Sequence, residues 1–389
     1  MKNRWLLPEG IEEILPPQAE ELEAMRRKLL DLYKSWGYEL IMPPFIEFLD
    51  SLLTGSSNDL DLQTFKLTDQ ITGRTMGVRA DMTPQAARID AHSLKREGPV
   101  RLCYLGTVLR TRPESQGGSR SPLQIGAELY GHSGIESDVE VLRLMLATLK
   151  ATGVKDIHVD LGHVGIFRGL AREAKLNSEQ ETAMFEALQR KALPEMNSLL
   201  ADFKVDKKFQ DMFKALADLN GDARVLDEAR KVLKKAGRDV MNAIDELDSI
   251  QKKTQQSVKD IKLYFDLGEL RGYNYHTGVV FAAYVPGIGQ SVAQGGRYDE
   301  IGAVFGRARP ATGFSADMKS LVQAGYEKPR KSVFAPADDD PALTDAIDGL
   351  RAQGITVIEE LPGQNSDAKA MGCSRILFKC KNGWEVKNL

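Results

Sequence analysis

The chain has 389 residues, of which 42% are hydrophobic and 28% charged, a composition typical of soluble globular proteins. Its formal net charge of -3 excludes a general electrostatic attraction to nucleic acid or to an anionic membrane. The three cysteines, Cys103, Cys373 and Cys380, are too few and too widely spaced for a disulfide framework or a zinc site, so we expect a cytoplasmic location. No apolar run is long enough for a signal peptide or a membrane span.

The first hundred residues predict a helix, a broken strand, a hairpin and a second helix. Apolar residues at helical spacing between Leu22 and Trp36 predict a helix that ends at Gly37. In "YELIMPPFIE" two consecutive prolines cannot lie in a central strand, so this strand ends there or meets a sheet edge. Residues 62–80 predict a hairpin with its turn around Gly73, and "TPQAARIDAHSL" predicts a helix.

The next stretch predicts strands and then a helical region. "VRLCYLGTVLRT" and "PLQIGAELYG" predict two strands around a loop rich in Gly and Arg, and "DIHVDLG" predicts a third strand. Between them "SDVEVLRLMLATLKATG" predicts a helix, in which Ser137 and Glu140 have the spacing of a capping box. Residues 165–258 are rich in Ala, Lys, Glu and Leu and predict an inserted helical region, in which Ser178 and Glu181 form a second possible capping box.

Strands return at 261–299, and "FSADMKSLVQAG" predicts a closing helix. After a linker, "EKPRKS", residues 331–389 predict a β-α-β unit with two further strands, a small α/β module. The predicted fold class is α+β, an antiparallel sheet flanked by helices. Its domains are a core in two parts, 1–164 and 259–326, the helical insertion at 165–258 and the C-terminal module.

Two arginine-bearing segments are candidates for ligand binding. Arg110, Arg112 and Arg120 could hold phosphate or carboxylate by bidentate hydrogen bonds, although such a loop can equally be solvated. In "LRGYNYHTGVVF" the ring side chains after Arg271 could wall a pocket for a flat ring, with the arginine meeting an anion. The alternative is a strand whose aromatic residues pack in the core.

Gln124 and Glu128 are four apart on a predicted strand and therefore share one face, among apolar neighbours. Buried polar groups need partners, here either a ligand with a positive amino group or an arginine, Arg110 or Arg271. In "AQGGRYDEIG" the glycine pair Gly295–Gly296 allows a tight turn or a close backbone approach, which is a weak signal by itself.

Metal and cofactor chemistry has no support in the sequence. His158 and His163 are five apart on a predicted strand, hence on opposite faces, which argues against joint metal binding. The sequence contains no HExxH, Walker-A, GxSxG or dinucleotide-binding motif. We therefore expect neither a metal nor a cofactor.

Taken in order over residues 5–325, these segments resemble the core of histidyl-tRNA synthetase, a class II aminoacyl-tRNA synthetase. "YELIMPPFIE" resembles the dimer-forming first motif, and "RLCYLGTVLRTRPESQGGSRSPLQIGAELYG" resembles the second. "LRGYNYHTGVVF" and "AQGGRYD" resemble two histidine-specific motifs, usually close to RGLDYY-x-x-TVF and A-GGRYD. The resemblance implies a class II synthetase-like core and a homodimer formed through Pro43–Pro44.

The resemblance also implies a histidine pocket. Asp81 stands where the family has a glutamate that meets the substrate amino group, and Arg271 matches the arginine near the carboxylate. Asn274 and His276 depart from the Asp and the second Tyr of RGLDYY. The implied histidine-binding residues are Asp81, Thr83, Gln124, Glu128, Arg271, Tyr273, Tyr275 and Tyr298.

The nucleotide pocket departs further from the family. Arg110 and Arg120 match phosphate-side arginines of the second motif and are the candidates for holding some other anion, but Arg112 replaces a carboxylate that helps to place ATP. In the third motif Lys319 and Ser320 stand at the Glu and Arg positions, and serine cannot stack on adenine as arginine does. The C-terminal module is about half of an anticodon-binding domain.

This combination resembles the histidyl-tRNA synthetase-like regulatory subunit of ATP phosphoribosyltransferase. It implies a chain without catalytic residues that binds free histidine. Such a chain activates and feedback-regulates a short-form ATP phosphoribosyltransferase catalytic subunit in the first step of histidine biosynthesis. The implied assembly is a homodimer within a hetero-oligomer, without tRNA or membrane. Two alternatives stay open, an active histidyl-tRNA synthetase with a divergent third motif and a histidine sensor that acts on another protein.

Overall fold

The computed structural model describes residues 5–54, 58–113, 118–259, 261–269, 272–273, 275–325, 332–364, 367–381 and 383–389. The chain divides into two units, Met1–Tyr326 and Glu327–Leu389. Among the described residues of the first unit the strands are β1 Glu39–Leu40, β2 Ile46–Phe48, β3 Phe65–Thr68, β4 Thr75–Val78, β5 Val100–Thr107, β6 Leu123–Tyr130, β7 His158–His163, β8 Asn220–Gly221, β9 Lys262–Asp266, β10 Val279–Tyr284, β11 Ala293–Arg297 and β12 Ala311–Asp317.

The helices of the same unit lie between and beside these strands. They are α1 Gln18–Ser35, α2 Leu49–Leu53, α3 Asn58–Gln63, α4 Thr83–Arg88, α5 Ile135–Ala151, α6 Val164–Glu173, α7 Ser178–Gln189, α8 Leu193–Asp202, α9 Lys207–Leu216, α10 Arg224–Val232, α11 Arg238–Ser257 and α12 Met318–Gly325. A π-helical turn, Ile89–Leu94, continues α4, and a 3-10 turn spans Ala303–Phe305. No helix within the described parts of the chain combines the length and apolar character needed to span a membrane.

A large, mostly antiparallel sheet forms the centre of the first unit. Over the described residues its strand order is β1-β5-β6-β12-β11-β10-β7-β9-β8, with parallel pairing only at β1–β5 and β7–β9. A second sheet, β2-β4-β3, contains the predicted hairpin, whose turn includes Gly73 at φ +73°. Pro43 and Pro44 separate β1 from β2, which belong to different sheets, and this agrees with the predicted strand break.

One hydrophobic core joins the sheet to its helices. Met25 and Leu29 of α1 are fully buried in it, as is Leu142 of α5. Phe167 of α6 and Phe213 of α9 belong to the same core, with their rings edge to face at 5.7 Å. Residues 164–257 thus form helices that pack on the core of the sheet, and β8 within them pairs with β9.

Three local sequence predictions are wrong, one helix start and two capping boxes. "FSAD" is not helical but completes β12, because its residues pair in register with both β6 and β11, and the helix α12 begins only at Met318. Both predicted capping boxes fail: α5 begins at Ile135, where Ser137 instead donates to the carbonyl of Gly134. At α7 the box forms one residue earlier, between Asn177 and Gln180.

The second unit is a small α/β module. Its elements are β13 Val333–Ala335, α13 Pro341–Ala352, β14 Val357–Glu359, β15 Arg375–Cys380 and β16 Gly383–Asn388. The strand order in the described residues is β14-β13-β15-β16, and β13 and β14 are parallel, so the predicted β-α-β unit is confirmed. Asp340 caps α13 by accepting from the backbone N–H of Ala342, and its side chain also accepts from Lys379 and Trp384. These hydrogen bonds, that to Lys379 above all, lower the pKa of Asp340 to about 2.

Candidate ligand-binding site

A cavity of about 370 Å³, here called the inner cavity, lies in the first unit beside β6, β10, β11 and β12. Six of the eight predicted histidine-binding residues line it: Asp81, Thr83, Gln124, Glu128, Tyr275 and Tyr298. Arg110 lines it as well, together with Asp160, Glu269 and His276. The cavity therefore brings together residues that lie far apart in the sequence.

Gln124 fixes the segment that follows β4. Its side-chain oxygen accepts from the backbone N–H of Met82 at 2.9 Å, and its amide nitrogen donates to Oδ1 of Asp81 at 2.7 Å. The backbone N–H of Thr83 donates to the same Asp81 oxygen at 3.0 Å. The buried amide thus pairs with a carboxylate, and it sets the position of Asp81 at the cavity wall.

Glu128 lies four residues further along β6, only 1% exposed, between two tyrosines. Tyr104 donates to its Oε1 at 2.8 Å, and Tyr298 donates to its Oε2. Burial raises the pKa of Glu128 to about 8, and the nearby Asp81 charge adds to the rise, although both tyrosine hydrogen bonds oppose it. The carboxyl group therefore holds a proton at neutral pH until a cationic group approaches it.

Glycines let the neighbouring strands come close to these side chains. Gly313 of β12 pairs with Glu128, and a Cβ there would lie 1.5 Å from the carboxylate oxygen Oε2. A Cβ at Gly126 would lie 2.4 Å from the Tyr104 hydroxyl, and one at Gly295 would lie 2.1 Å from the carbonyl oxygen of Gly313. The close approach considered for the Gly295–Gly296 pair is therefore observed.

His276 contributes a neutral acceptor to the cavity wall. Its Nδ1 lies 3.1 Å from the carbonyl oxygen of Arg297, which can only accept, so Nδ1 carries the proton and Nε2 does not. Burial lowers the pKa of His276 to about 4, which keeps the ring uncharged at neutral pH. Its ring lies 4.4 Å from that of Tyr275 and 6.3 Å from that of Tyr298. The residue that replaces the family's second tyrosine thus offers an acceptor nitrogen.

Tyr273, one of the predicted histidine-binding residues, is not among the residues that line the inner cavity. Its ring stacks on Phe185 of α7 at 4.7 Å and meets Phe167 edge to face at 5.5 Å. Its hydroxyl donates to Glu181, and burial raises its pKa above the ordinary range. The helices of 164–257 provide an apolar site for this ring. Arg271 and Asn274 lie outside the described residues.

A second cavity of about 460 Å³, here called the outer cavity, shares Arg110, Gln124, Gln294 and Ser315 with the inner one. Glu12 and Lys319 both line this cavity and form an ion pair, with Nζ of Lys319 3.0 Å from Oε1 of Glu12. Ser320 donates to Asp317 at 2.8 Å. The two residues that replace the third-motif Glu and Arg are thus bonded within the chain.

Arg120, one of the two arginines predicted to hold an anion, is not among the residues that line the outer cavity. Its side chain donates to the carbonyl oxygens of Glu9 and Arg110, each at 3.1 Å, and its backbone N–H donates to the carbonyl of Gly10. Its guanidinium also lies 5.3 Å from the Phe65 ring centre. The predicted anion-binding arginine therefore holds the N-terminal segment. Arg110 remains at both cavities, and its Nε donates to the carbonyl of Ala80.

Sequence reasoning missed Tyr104, whose hydroxyl contacts both Glu128 and the Thr83 hydroxyl at 3.0 Å. The available signal was its position opposite Gly126 in the two predicted strands, a large side chain facing a glycine. It also missed Glu12, for which the sequence gives no signal.

Two family models match the chain. The histidyl-tRNA synthetase model matches residues 10–321, and that of the ATP phosphoribosyltransferase subunit HisZ C-terminal domain matches residues 330–387. The ATP phosphoribosyltransferase regulatory subunit of Thioalkalivibrio sulfidiphilus is 60% identical, over 100% of this chain and 99% of the relative. That of Alkalilimnicola ehrlichii is 56% identical, over 100% of this chain and 98% of the relative.

Solved structures agree with these matches. An ATP phosphoribosyltransferase regulatory subunit/histidyl-tRNA synthetase from Bacillus halodurans superimposes with a TM-score of 0.83 at 28% identity, covering 95% of this chain and 96% of that one. Histidyl-tRNA synthetase from Nostoc sp. PCC 7120 shares the fold, with a TM-score of 0.81 at 17% identity over 99% and 95% of the two chains. The predicted class II synthetase-like fold is confirmed, and the chain belongs to the family of ATP phosphoribosyltransferase regulatory subunits.

Proposed function

We propose that this chain is a non-catalytic regulatory subunit that binds free histidine in the inner cavity. Through that site it would activate and feedback-regulate a short-form ATP phosphoribosyltransferase in the first step of histidine biosynthesis. The observation that carries the proposal is a pair of carboxyl groups at the cavity wall, the half-buried Asp81 and the buried Glu128, each held by hydrogen bonds from fixed neighbours. Such a pair suits a ligand with a positive amino group and N–H donors.

The ligand's functional groups can be assigned to the cavity wall by chemistry. The ammonium group would lie at Asp81, the position that meets the amino group in the resemblance to histidyl-tRNA synthetases. Glu128 and the unprotonated Nε2 of His276 are acceptors that suit imidazole N–H groups. Arg271 is proposed to meet the carboxylate. A hydrogen bond to a charged group contributes about 1.5–3 kcal/mol, which corresponds to about one to two orders of magnitude in affinity.

The outer cavity supports a chain that does not activate histidine with ATP. Lys319 forms an ion pair with Glu12, and Ser320 donates to Asp317, where the synthetases use Glu and an arginine that stacks on adenine. Neither side chain has the planar cation needed for that stack. Arg110 is the residue that could still hold another anion.

A homodimer within a hetero-oligomer is the proposed assembly. Leu40, Met42, Phe45 and Ile46 form an apolar row around Pro43–Pro44 and are exposed in the single chain, as expected of a surface covered by a second copy. The relatives' name implies a catalytic ATP phosphoribosyltransferase subunit as the other partner. We propose a cytoplasmic location and no tRNA partner, because residues 330–387 match the C-terminal domain of a regulatory subunit.

Isothermal titration calorimetry of the purified chain with L-histidine tests the ligand assignment, with L-glutamine as the control ligand. We expect saturable binding of histidine and none of glutamine. Mixing the chain with a short ATP phosphoribosyltransferase then tests regulation, because histidine should lower the rate that the mixture supports. Absence of histidine binding, alone and in the mixture, would overturn the proposal, and robust histidine-dependent pyrophosphate exchange would identify an active synthetase instead.

A further inference from the structure

Tyr273 and His276 lie three residues apart and belong to different parts of the first unit. His276 lines the inner cavity, whereas the Tyr273 ring packs between α6 and α7, against Phe167 and Phe185. The Tyr273 hydroxyl donates to Glu181 of α7. One short stretch of backbone therefore has one side chain at the cavity and another within the helices.

Arg168 of α6 holds the backbone at both of these residues. Its Nη1 donates to the carbonyl oxygen of His276 at 2.7 Å, and its Nη2 donates to that of Tyr273 at 2.5 Å. Its guanidinium also lies 4.6 Å from the centre of the Tyr273 ring. A planar guanidinium can span two carbonyls at once, which the single ammonium of lysine cannot do with the same geometry.

His276 is fixed on its other side by β11. Its Nδ1 donates to the carbonyl of Arg297, and the Arg297 side chain is bound to Asp138 at the start of α5. The sheet thus fixes the imidazole ring, and Arg168 fixes the backbone that bears it. A shift of α6 or α7 would therefore move the cavity wall against a stationary sheet.

We propose that Arg168 is a positioning residue that couples helices α6 and α7 to ligand occupancy of the inner cavity. This inference rests on the proposed binding of histidine and names the part of the molecule that responds to it. Coupling between a ligand and a distant element is reciprocal: if α6 and α7 set the cavity wall, histidine must in turn stabilise those helices. Under this proposal, α7 is the surface element whose stability changes when a ligand occupies the inner cavity.

Hydrogen exchange of the full chain, with and without saturating L-histidine, tests the inference together with calorimetry. The wild type should show slower amide exchange in α7 when histidine is bound. Arg168→Lys should weaken histidine binding by about tenfold and abolish the slowing in α7. Arg172→Lys is the matched control, because Arg172 lies on the same helix and binds Asp239 of α11 at the surface, so it should behave as wild type.

Tyr273→Phe provides a milder second variant, which keeps the stacked ring but loses the hydroxyl that binds Glu181. It should keep the wild-type melting temperature within a few degrees and reduce the slowing of exchange in α7. A wild type that does not bind histidine overturns the proposed function. A wild type that binds histidine with no slowing in α7, or an Arg168→Lys protein with wild-type affinity, overturns the positioning role alone.

Discussion

The inner and outer cavities share four lining residues, yet their polar groups are arranged in opposite ways. At the inner cavity Asp81 and Glu128 are held by neutral donors: an amide, a backbone N–H and two tyrosines. At the outer cavity Lys319 is neutralised by Glu12, and Ser320 is bound to Asp317. The same fold thus leaves carboxyl groups held by neutral donors at one cavity, open to a ligand, and pairs a cation with a carboxylate of the chain at the other.

The largest effect on this contrast is expected from Gly313→Ala. The new Cβ would lie 1.5 Å from Oε2 of Glu128 and 2.8 Å from the carbonyl oxygen of Ala127, so the strand or the carboxyl group must shift. We expect loss of histidine binding and a fall in the free energy of unfolding of about 1–3 kcal/mol, measured by calorimetry and denaturant titration. Gly349→Ala in α13, where an added Cβ would meet nothing within 4 Å, is the control: it should leave binding unchanged and raise the free energy of unfolding by about 0.5–1 kcal/mol, because alanine favours a helix interior. Unchanged binding in Gly313→Ala would contradict the close packing of Gly313 against Glu128.

Glu128→Gln is expected to have the next largest effect. The amide keeps the size of the side chain but cannot supply a charged acceptor, so histidine affinity should fall about tenfold to a hundredfold. Calorimetry against the wild type measures the change. Glu136→Gln on α5 removes an exposed carboxylate that binds Lys253 and should leave the affinity unchanged. Equal affinities in Glu128→Gln and wild type would remove Glu128 from the proposed site.

A pH dependence should follow from the raised pKa of Glu128. Since burial raises that pKa to about 8, the empty cavity holds a protonated carboxyl at neutral pH, and this proton must leave before Glu128 can serve a ligand N–H as a charged acceptor. Histidine affinity should therefore rise more steeply from pH about 6 to 8 in the wild type than in Glu128→Gln. Histidine itself titrates in both experiments, so subtracting the Glu128→Gln profile from that of the wild type leaves the effect of Glu128. Parallel profiles would contradict the assignment.

The same shift predicts a trend in stability. A carboxyl group with a raised folded-state pKa is favoured in its protonated form, so its contribution is full below its ordinary pKa of 4.5 and is lost as the pH rises through about 8. Without histidine, the free energy of unfolding of the wild type should fall relative to that of Glu128→Gln across this interval. Denaturant titrations at several pH values measure it, and a constant difference would mean that Glu128 does not titrate there.

The inner cavity was largely predictable from the sequence, because its main elements follow local rules. The period of two along β6 places Gln124 and Glu128 on one face, and the ordered motifs brought Asp81 and Tyr298 to the same site. Tyr273 and His276 could not be distinguished, since what separates them is packing against Phe167 and Phe185, about a hundred residues away in sequence. The sequence of an aromatic-rich loop does not indicate which ring will face the cavity and which will pack against the helices.

The outer cavity was less predictable, because its outcome depends on partners that no motif specifies. A cation such as Arg120 or Lys319 could either bind an external anion or contact the chain itself. Here the position of residues 9–12 decides, because Arg120 donates to the carbonyl of Glu9 and Lys319 pairs with Glu12. "FSAD" illustrates the same limit for secondary structure, since pairing with β6 and β11 on both sides outweighs its helical context. Contacts distant in sequence decide both cases.

The smallest effect should come from Glu12→Gln, which removes the ion pair of the outer cavity. Glu12 is 51% exposed and Lys319 only 8%, so water screens the pair and its contribution to stability should be below about 1 kcal/mol. Because the inner cavity does not use this pair, the histidine affinity of Glu12→Gln should equal that of the wild type in calorimetry, while that of Glu128→Gln is lower by about tenfold to a hundredfold. If Glu12→Gln weakened histidine binding tenfold, the two cavities would act as one coupled site. The inner cavity would then not bind its ligand independently of the ion pair at the outer cavity.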